Sequence, residues 1–218
     1  MVRPTNTLRS PSSAPSLTLM DALCAGAASR QVQWAIRAGG VVFMTALTAA
    51  AAQVSFSIPF TQVPFTLQPM VVLMAGLALG SRLGLVSQLL YLAAGILGAP
   101  VFAISATLPM GAARLLGPTG GYLMSYPVAA LVTGYLAERG FDRRHITSVL
   151  AMLVGLIVIY ACGVLWLGLF VRTASSAPIG ISAALDVGFY PFVLADILKV
   201  LLAATIMPAL WRLTKASS

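Results

Sequence analysis

PFVLADILKVLLAATIMPALW, residues 191–211, is an apolar run with one acid and one base inside it, Asp196 and Lys199. A bilayer is crossed by about 20 such residues in a helix, so this run has membrane-spanning length. Residues three apart project from the same side of a helix, which places the carboxylate and the ammonium together. A charge near the centre of a bilayer costs roughly 2.5–3.5 kcal/mol on insertion scales, and ionisable pairs kept there mark functional sites facing a polar cavity. Pro191 suits the first turn of the helix, where its missing N–H is no loss. At about 1.5 Å per residue from that start, Asp196 lies ~7 Å and Lys199 ~12 Å along the axis. The pair therefore sits in one half of the membrane and is reachable from one side.

The rest of the chain reads the same way. Hydrophobic residues make up 59% of its 218 positions and charged residues 8%, with a mean hydropathy of +0.96. A soluble domain carries about 25% charged residues, so the chain is expected to be an all-α integral membrane protein. The net charge of +8 invites a nucleic-acid partner. The basic residues, however, stand at the ends of apolar runs and form no stripe with interleaved aromatics, so no nucleic acid is expected. Cys24 and Cys162 lie far apart in apolar surroundings, where cysteines act as small hydrophobes. His145, the only histidine, falls in a basic loop, and no metal site is expected.

The apolar runs predict a six-transmembrane-helix bundle over 36–56, 67–80, 83–98, 119–138, 146–171 and 191–211, with Pro127 as a kink in the fourth. The second and third runs are short and form one tight hairpin through Ser81 and Arg82. Residues 1–34 are expected to stand apart from the 35–213 transmembrane domain. The Ser-, Pro- and Thr-rich 1–16 should be disordered. The stretch 17–29 should be a cytoplasmic or interfacial segment, because Asp21 interrupts what would otherwise resemble a signal peptide.

Orientation follows from the basic residues. With the N-terminus inside, Arg3, Arg9, Arg30, Arg37, Arg82, Arg139, Arg143, Arg144, Arg212 and Lys215 are cytoplasmic, whereas Arg114 and Arg172 are external. That asymmetry places both termini in the cytoplasm. The sixth helix then enters from outside, and Asp196 and Lys199 face the external half.

The external loop SIPFTQVPFTLQP, residues 57–69, has prolines that disfavour helix. It reads equally as a stiff lid over an external pocket or as an interfacial connection. Ala46/Ala50 and Gly76/Gly80/Gly84 repeat small residues at four-residue spacing, which permits close helix approach. Gln68, Gln88, Tyr91 and Tyr122 are further polar groups in or near the spans. No P-loop, HExxH or GxSxG motif occurs, so no route to ATP hydrolysis is expected, and no catalytic residues are assigned.

Four stretches carry a resemblance: IPFTQVPFTLQ at 58–68, SQLLYLAAGILGAPVFA at 87–103, LLGPTGGYLMSYPVAALVTGYLAER at 115–139 and GFYPFVLADILK at 188–199. The chain resembles the BioY family, biotin-specific S-components of energy-coupling-factor (ECF) vitamin transporters, over about residues 40–210. The GPTGGY and the D-x-x-K of the last stretch are the most specific elements. The resemblance implies a biotin-binding membrane subunit that captures biotin outside and delivers it inward without a cofactor. It implies as partners a transmembrane coupling subunit and two cytoplasmic ATPases, in a bacterial plasma membrane. Asp196, Lys199, Gln68, Gln88, Tyr91 and Tyr122 are then the expected ligand contacts, the 58–66 loop the lid, and the Ala46/Ala50 face the docking surface. The alternatives are another small vitamin on the same scaffold, an intramembrane acid–base enzyme using Asp196 and Lys199, and an assembly protein without a ligand.

Overall fold

The computed structural model describes residues 18–57, 59–105, 108–172 and 176–216. The segment expected to be disordered, 1–16, lies outside the described residues, as do Arg3 and Arg9. Among the described residues the order is α1 (Leu19–Ala25), α2 (Arg30–Gln53), β1 (Ser55–Phe56), β2 (Phe65–Thr66), α3 (Gln68–Leu79), α4 (Ser81–Ile96), α5 (Ala113–Leu116), α6 (Gly120–Ala137), α7 (His145–Phe170), α8 (Ile181–Gly188) and α9 (Tyr190–Ala216). The six apolar runs are the helices α2, α3, α4, α6, α7 and α9. Three of them, over Arg30–Gln53, His145–Phe170 and Tyr190–Leu213, are long and apolar enough to cross a membrane, whereas α3 and α4 are shorter.

Burial explains why short helices suffice. From Val71 to Leu79 every residue of α3 is buried, because α2, α4, α6, α7 and α9 all pack around it. The outer helices carry the opposite pattern. Phe43, Ile157, Leu169, Leu194 and Leu202 are all more than half exposed, an apolar surface that water would not tolerate and a bilayer would cover.

The α3–α4 hairpin turns on a single residue. Gly80 has φ +84° and closes α3 while opening α4. Only glycine takes that conformation without strain. The Glu138 carboxylate, at the end of α6, accepts from Ser81 N at 2.8 Å and Ser81 Oγ at 2.6 Å and so holds the turn. Gly76 and Gly134 allow α3 and the turn to meet α6: a Cβ on Gly76 would fall 2.3 Å from Ala130 O, and one on Gly134 would strike the Gly80–Ser81 backbone. The small-residue spacing on α3 thus serves packing within the chain. α6 continues as helix through Pro127.

Three short helices, α1, α5 and α8, were not expected from the apolar runs. α1 begins with a capping box between Thr18 and Asp21. Asp21 also pairs with Arg37 at 2.9 Å, tying α1 to α2 with Leu19, Met20 and Cys24 buried beneath it. α8 follows Gly180 (φ +83°) and ends at Gly188, just before α9.

The bundle has two unlike ends. The α3–α4 turn, the α6–α7 connection, the start of α2 and the end of α9 meet at one. Arg30, Arg37, Arg82, Arg139, Arg143, Arg144 and Arg212 are gathered there. The β1–β2 hairpin, α5 and α8 cover the other, where Arg114 and Arg172 lie.

Candidate functional site

α9 delivers Asp196 and Lys199 one helical turn apart toward α3 and α7. Lys199 Nζ donates to Asp196 Oδ1 at 2.7 Å, and both residues are buried. The expected pairing is therefore present, and it is part of a larger set. Tyr160 on α7 donates its hydroxyl to Asp196 Oδ2 at 2.7 Å. Lys199 Nζ also donates to the Thr66 carbonyl at 2.6 Å and lies 3.6 Å from the centroid of the Phe65 ring. Both carboxylate oxygens thus have a donor. Two of the three ammonium hydrogens have acceptors, and the aromatic face takes up charge beside them. This is the compensation that a buried ion pair needs if it is not to cost more than it returns.

These groups line one wall of a cavity. The Tyr122, Tyr126, Tyr160 and Phe192 rings supply apolar surface, and Gln68, Thr119 and Arg114 add polar groups. Val63, Pro64 and Thr66 of the α2–α3 connection also line it. The cavity measures about 60 Å³, against about 300–1,000 Å³ for a typical small-molecule site. A ligand larger than a few waters enters only if a wall moves, and the connection carrying Val63 and Pro64 is the wall with least helix behind it. That connection is a two-stranded hairpin, with Ser55 paired to Thr66 and Phe56 to Phe65. Thr61 Oγ1 fastens it to the α8 end by donating to the Val187 carbonyl at 2.6 Å.

Of the residues singled out in the sequence, Asp196, Lys199, Gln68 and Tyr122 line the cavity. Tyr122 fits because Gly163 and Gly188 leave room for it: a Cβ on Gly163 would fall 2.2 Å from its ring. Its hydroxyl donates to the Gly188 carbonyl at 2.9 Å, joining α6 to the α8–α9 corner. Tyr91 and Gln88 do not line the cavity. Tyr91 is fully buried and accepts from Gln68 Nε2 at 2.6 Å while donating to the Val101 carbonyl at 3.2 Å, so it orients Gln68 from behind. Gln88 lies fully buried on α4, donating to Thr48 Oγ1 and Ser87 Oγ.

Tyr160 and Arg114 line the same cavity and were not singled out as candidate contacts in the sequence. Arg114, counted there as an external loop charge, is only 3% exposed. α5 places it against the cavity, where Nη2 donates to the Ala103 carbonyl and Nη1 reaches the Pro109 carbonyl at 3.5 Å. Its Nε has no hydrogen-bond partner among the described residues. Burial draws the guanidinium pKa down, as desolvation does to any cation, yet arginine stays charged. A buried guanidinium with unused donor capacity is suited to an anion. Among the described residues no His, Cys, Asp and Glu grouping is suited to a metal ion.

Comparison with known proteins identifies the family. The chain is 42% identical over 166 residues to a probable biotin transporter BioY of Pyrococcus horikoshii, covering 76% of this chain and 90% of that one. It is 39% identical over 172 residues to the biotin transporter BioY of Thermotoga maritima, covering 78% and 91%. In three dimensions it matches the crystal structure of the S-component for biotin from an ECF-type ABC transporter. That match has a TM-score of 0.73 at 27% identity and covers 85% of this chain and 95% of that one. The model of the BioY family matches residues 27–216, and the chain belongs to that family.

Proposed function

We propose that this protein is the biotin-binding membrane subunit of a vitamin uptake transporter, a carrier and not an enzyme. The observation that carries the reading is the buried Tyr160–Asp196–Lys199 set on the wall of an aromatic cavity. The names of the relatives and of the matching structure support the choice of biotin. Biotin offers a ureido group with two N–H donors and a carbonyl, an apolar thioether ring and a valerate carboxylate. Asp196 is acceptor-only when ionised and suits the ureido N–H groups, and Lys199 suits the ureido oxygen. A valerate beside Asp196 would meet like charge. Among the described residues Arg114 lines the cavity without a carboxylate partner, and we assign the valerate to it. Tyr122, Tyr126 and Phe192 then enclose the thioether ring, and the hairpin carrying Val63 and Pro64 acts as the lid.

The six apolar helices are read as six membrane spans with both termini in the cytoplasm, in a bacterial plasma membrane. The distribution of arginines between the two ends supports this orientation. The cavity then opens outward. Delivery to the inside requires an energised partner: a transmembrane coupling subunit with two cytoplasmic ATPases. Ala46 and Ala50 are both exposed on α2, and their face is the proposed docking surface.

Titration of the detergent-solubilised protein with biotin, alongside Asp196→Asn and Arg114→Gln, tests the reading. The expected result is one-to-one binding that weakens in both variants. Biotin methyl ester should discriminate poorly between wild type and Arg114→Gln while still sensing Asp196→Asn. A folded wild type that binds no biotin would contradict the assignment.

A further inference from the structure

The end of the bundle opposite the cavity carries a recess of different chemistry. Arg143, Arg144 and His145 at the start of α7, with Pro208, Trp211 and Arg212 late in α9, line an open cavity of about 520 Å³. Three guanidiniums line it, and the Asp142 carboxylate beneath them is turned inward. Asp142 has no side-chain exposure. It accepts from Trp211 Nε1 at 2.6 Å and forms a 3.4 Å ion pair with Arg143 Nε. The Arg143 guanidinium lies 3.5 Å above the Trp211 ring. Asp142, Arg143 and Trp211 thus make a braced floor. Arg144 and Arg212 are exposed and belong to none of the ion pairs among the described residues.

Two further features bear on what occupies the recess. α7 is 26 residues long, and its Arg144 N-cap supplies no side-chain cap, so the positive end of its dipole adds to the same field. Beside the charged groups stand exposed apolar ones: Ile146 at 72%, Leu150 at 50% and Leu213 at 65%. An anion site bordered by apolar surface fits an amphiphile better than a free ion.

We propose that this recess binds the phosphate of an anionic phospholipid headgroup, held by the Arg144 and Arg212 guanidiniums over the Arg143–Trp211 floor. The acyl chains pass along Ile146, Leu150 and Leu213. Guanidinium forks match phosphate oxygens in geometry as well as charge, and basic recesses between membrane helices are suited to anionic headgroups. A zwitterionic lipid is disfavoured because its ammonium would meet the same arginines. The recess lies at the opposite end of the bundle from Asp196 and Lys199, so its occupancy is separable from binding in the main cavity.

The test uses the full-length protein in neutral detergent and follows thermal unfolding during titration with short-chain phosphatidylglycerol, phosphatidylcholine of equal chain length, and inorganic phosphate. Phosphatidylglycerol alone should raise the melting temperature saturably. The Arg144→Gln/Arg212→Gln double variant should require at least about tenfold more of it, a loss of about 1.4 kcal/mol. Arg144→Lys/Arg212→Lys should fall between the two, and biotin titration should confirm that every variant is folded. An equal shift with phosphatidylcholine, or an unchanged response in the double variant, would overturn the proposal. A matching shift with inorganic phosphate at equal concentration would make the occupant a soluble phosphate and overturn the lipid assignment.

Discussion

Tyr160 and Asp196 stand on different helices, α7 and α9, and are joined by one hydrogen bond of 2.7 Å from the phenol to Asp196 Oδ2. The other oxygen of the same carboxylate takes Lys199 at 2.7 Å. The carboxylate is therefore clamped from both sides and presents its remaining lone pairs in a set direction. Tyr160→Phe keeps the ring, which packs edge-on against Phe189 at 4.9 Å, and removes only the clamp. Biotin affinity is expected to fall by about 3–10-fold, in line with a loss of up to about 1.4 kcal/mol, with little change in thermal stability. Calorimetric titration of the variant checks this, and unchanged affinity would separate Tyr160 from the ligand.

Asp196→Asn and Lys199→Ala should not be equivalent. The first removes charge but keeps an acceptor, and is expected to weaken biotin binding by about 1–3 kcal/mol, the scale of a hydrogen bond to a charged group. The second also leaves the Asp196 carboxylate buried without its counter-ion, and the Thr66 carbonyl without its donor. It should cost at least as much in affinity and should also lower stability, since breaking a buried pair is costly. Binding and thermal unfolding measured on both variants together distinguish the two cases.

The proposed lid role makes the hairpin clasp a determinant of how long a ligand stays. Thr61 Oγ1 to the Val187 carbonyl is one 2.6 Å bond between the hairpin and the segment leading into α9. Thr61→Val retains shape and removes the donor. The dissociation rate of biotin is expected to rise by about 2–10-fold, one neutral hydrogen bond being worth about 0.5–1.5 kcal/mol, with a smaller change in association rate. Stopped-flow or surface-based kinetics read this directly. Equal rates in both proteins would leave the hairpin as a connection rather than a lid.

Helices and site were legible in the sequence to different degrees, for physical reasons. The apolar runs place α2, α3, α4, α6, α7 and α9 because bilayer-facing and core-facing positions are both apolar there. α1 and α8 escaped that reading, since seven or eight residues bury too little to produce a run. α1 is specified instead by polar contacts, Thr18 to Asp21 and Asp21 to Arg37. Asp196 and Lys199 announced themselves because a charge in an apolar span is costly. Tyr160 did not, because a tyrosine there is unremarkable until α7 packs on α9. Arg114 looked like a loop charge because nothing local shows that α5 folds back over the cavity. Gln88 looked like a site residue for the converse reason: a polar group in a span also arises from helix packing, here against Thr48 and Ser87.

The proposed docking face separates binding from transport. Ala46 and Ala50 are exposed on α2 and do not line the cavity that holds the Lys199 ammonium. Ala46→Leu/Ala50→Leu is expected to leave biotin affinity of the isolated protein unchanged. It should reduce uptake by cells carrying the coupling module by at least about tenfold, because close helix approach depends on small side chains. Uptake equal to wild type would exclude this face as the contact surface.

Asp142 yields a pH dependence with a defined sign. Its carboxyl is raised above the ordinary carboxylate range, first by burial, with the Trp211 indole hydrogen bond and the Arg143 charge partly opposing the shift. The native state therefore holds this proton more tightly than the unfolded chain does. The resulting stabilisation is complete below the unfolded pKa, about 4, and is lost as pH rises through the native value. Asp142→Asn keeps an oxygen acceptor for Trp211 and cannot titrate. The melting temperature of wild type relative to this variant should be highest at acid pH and decline toward neutrality. A difference that instead grows with rising pH would show the ionised carboxylate to be the stabilised form, with the Arg143 contact outweighing burial.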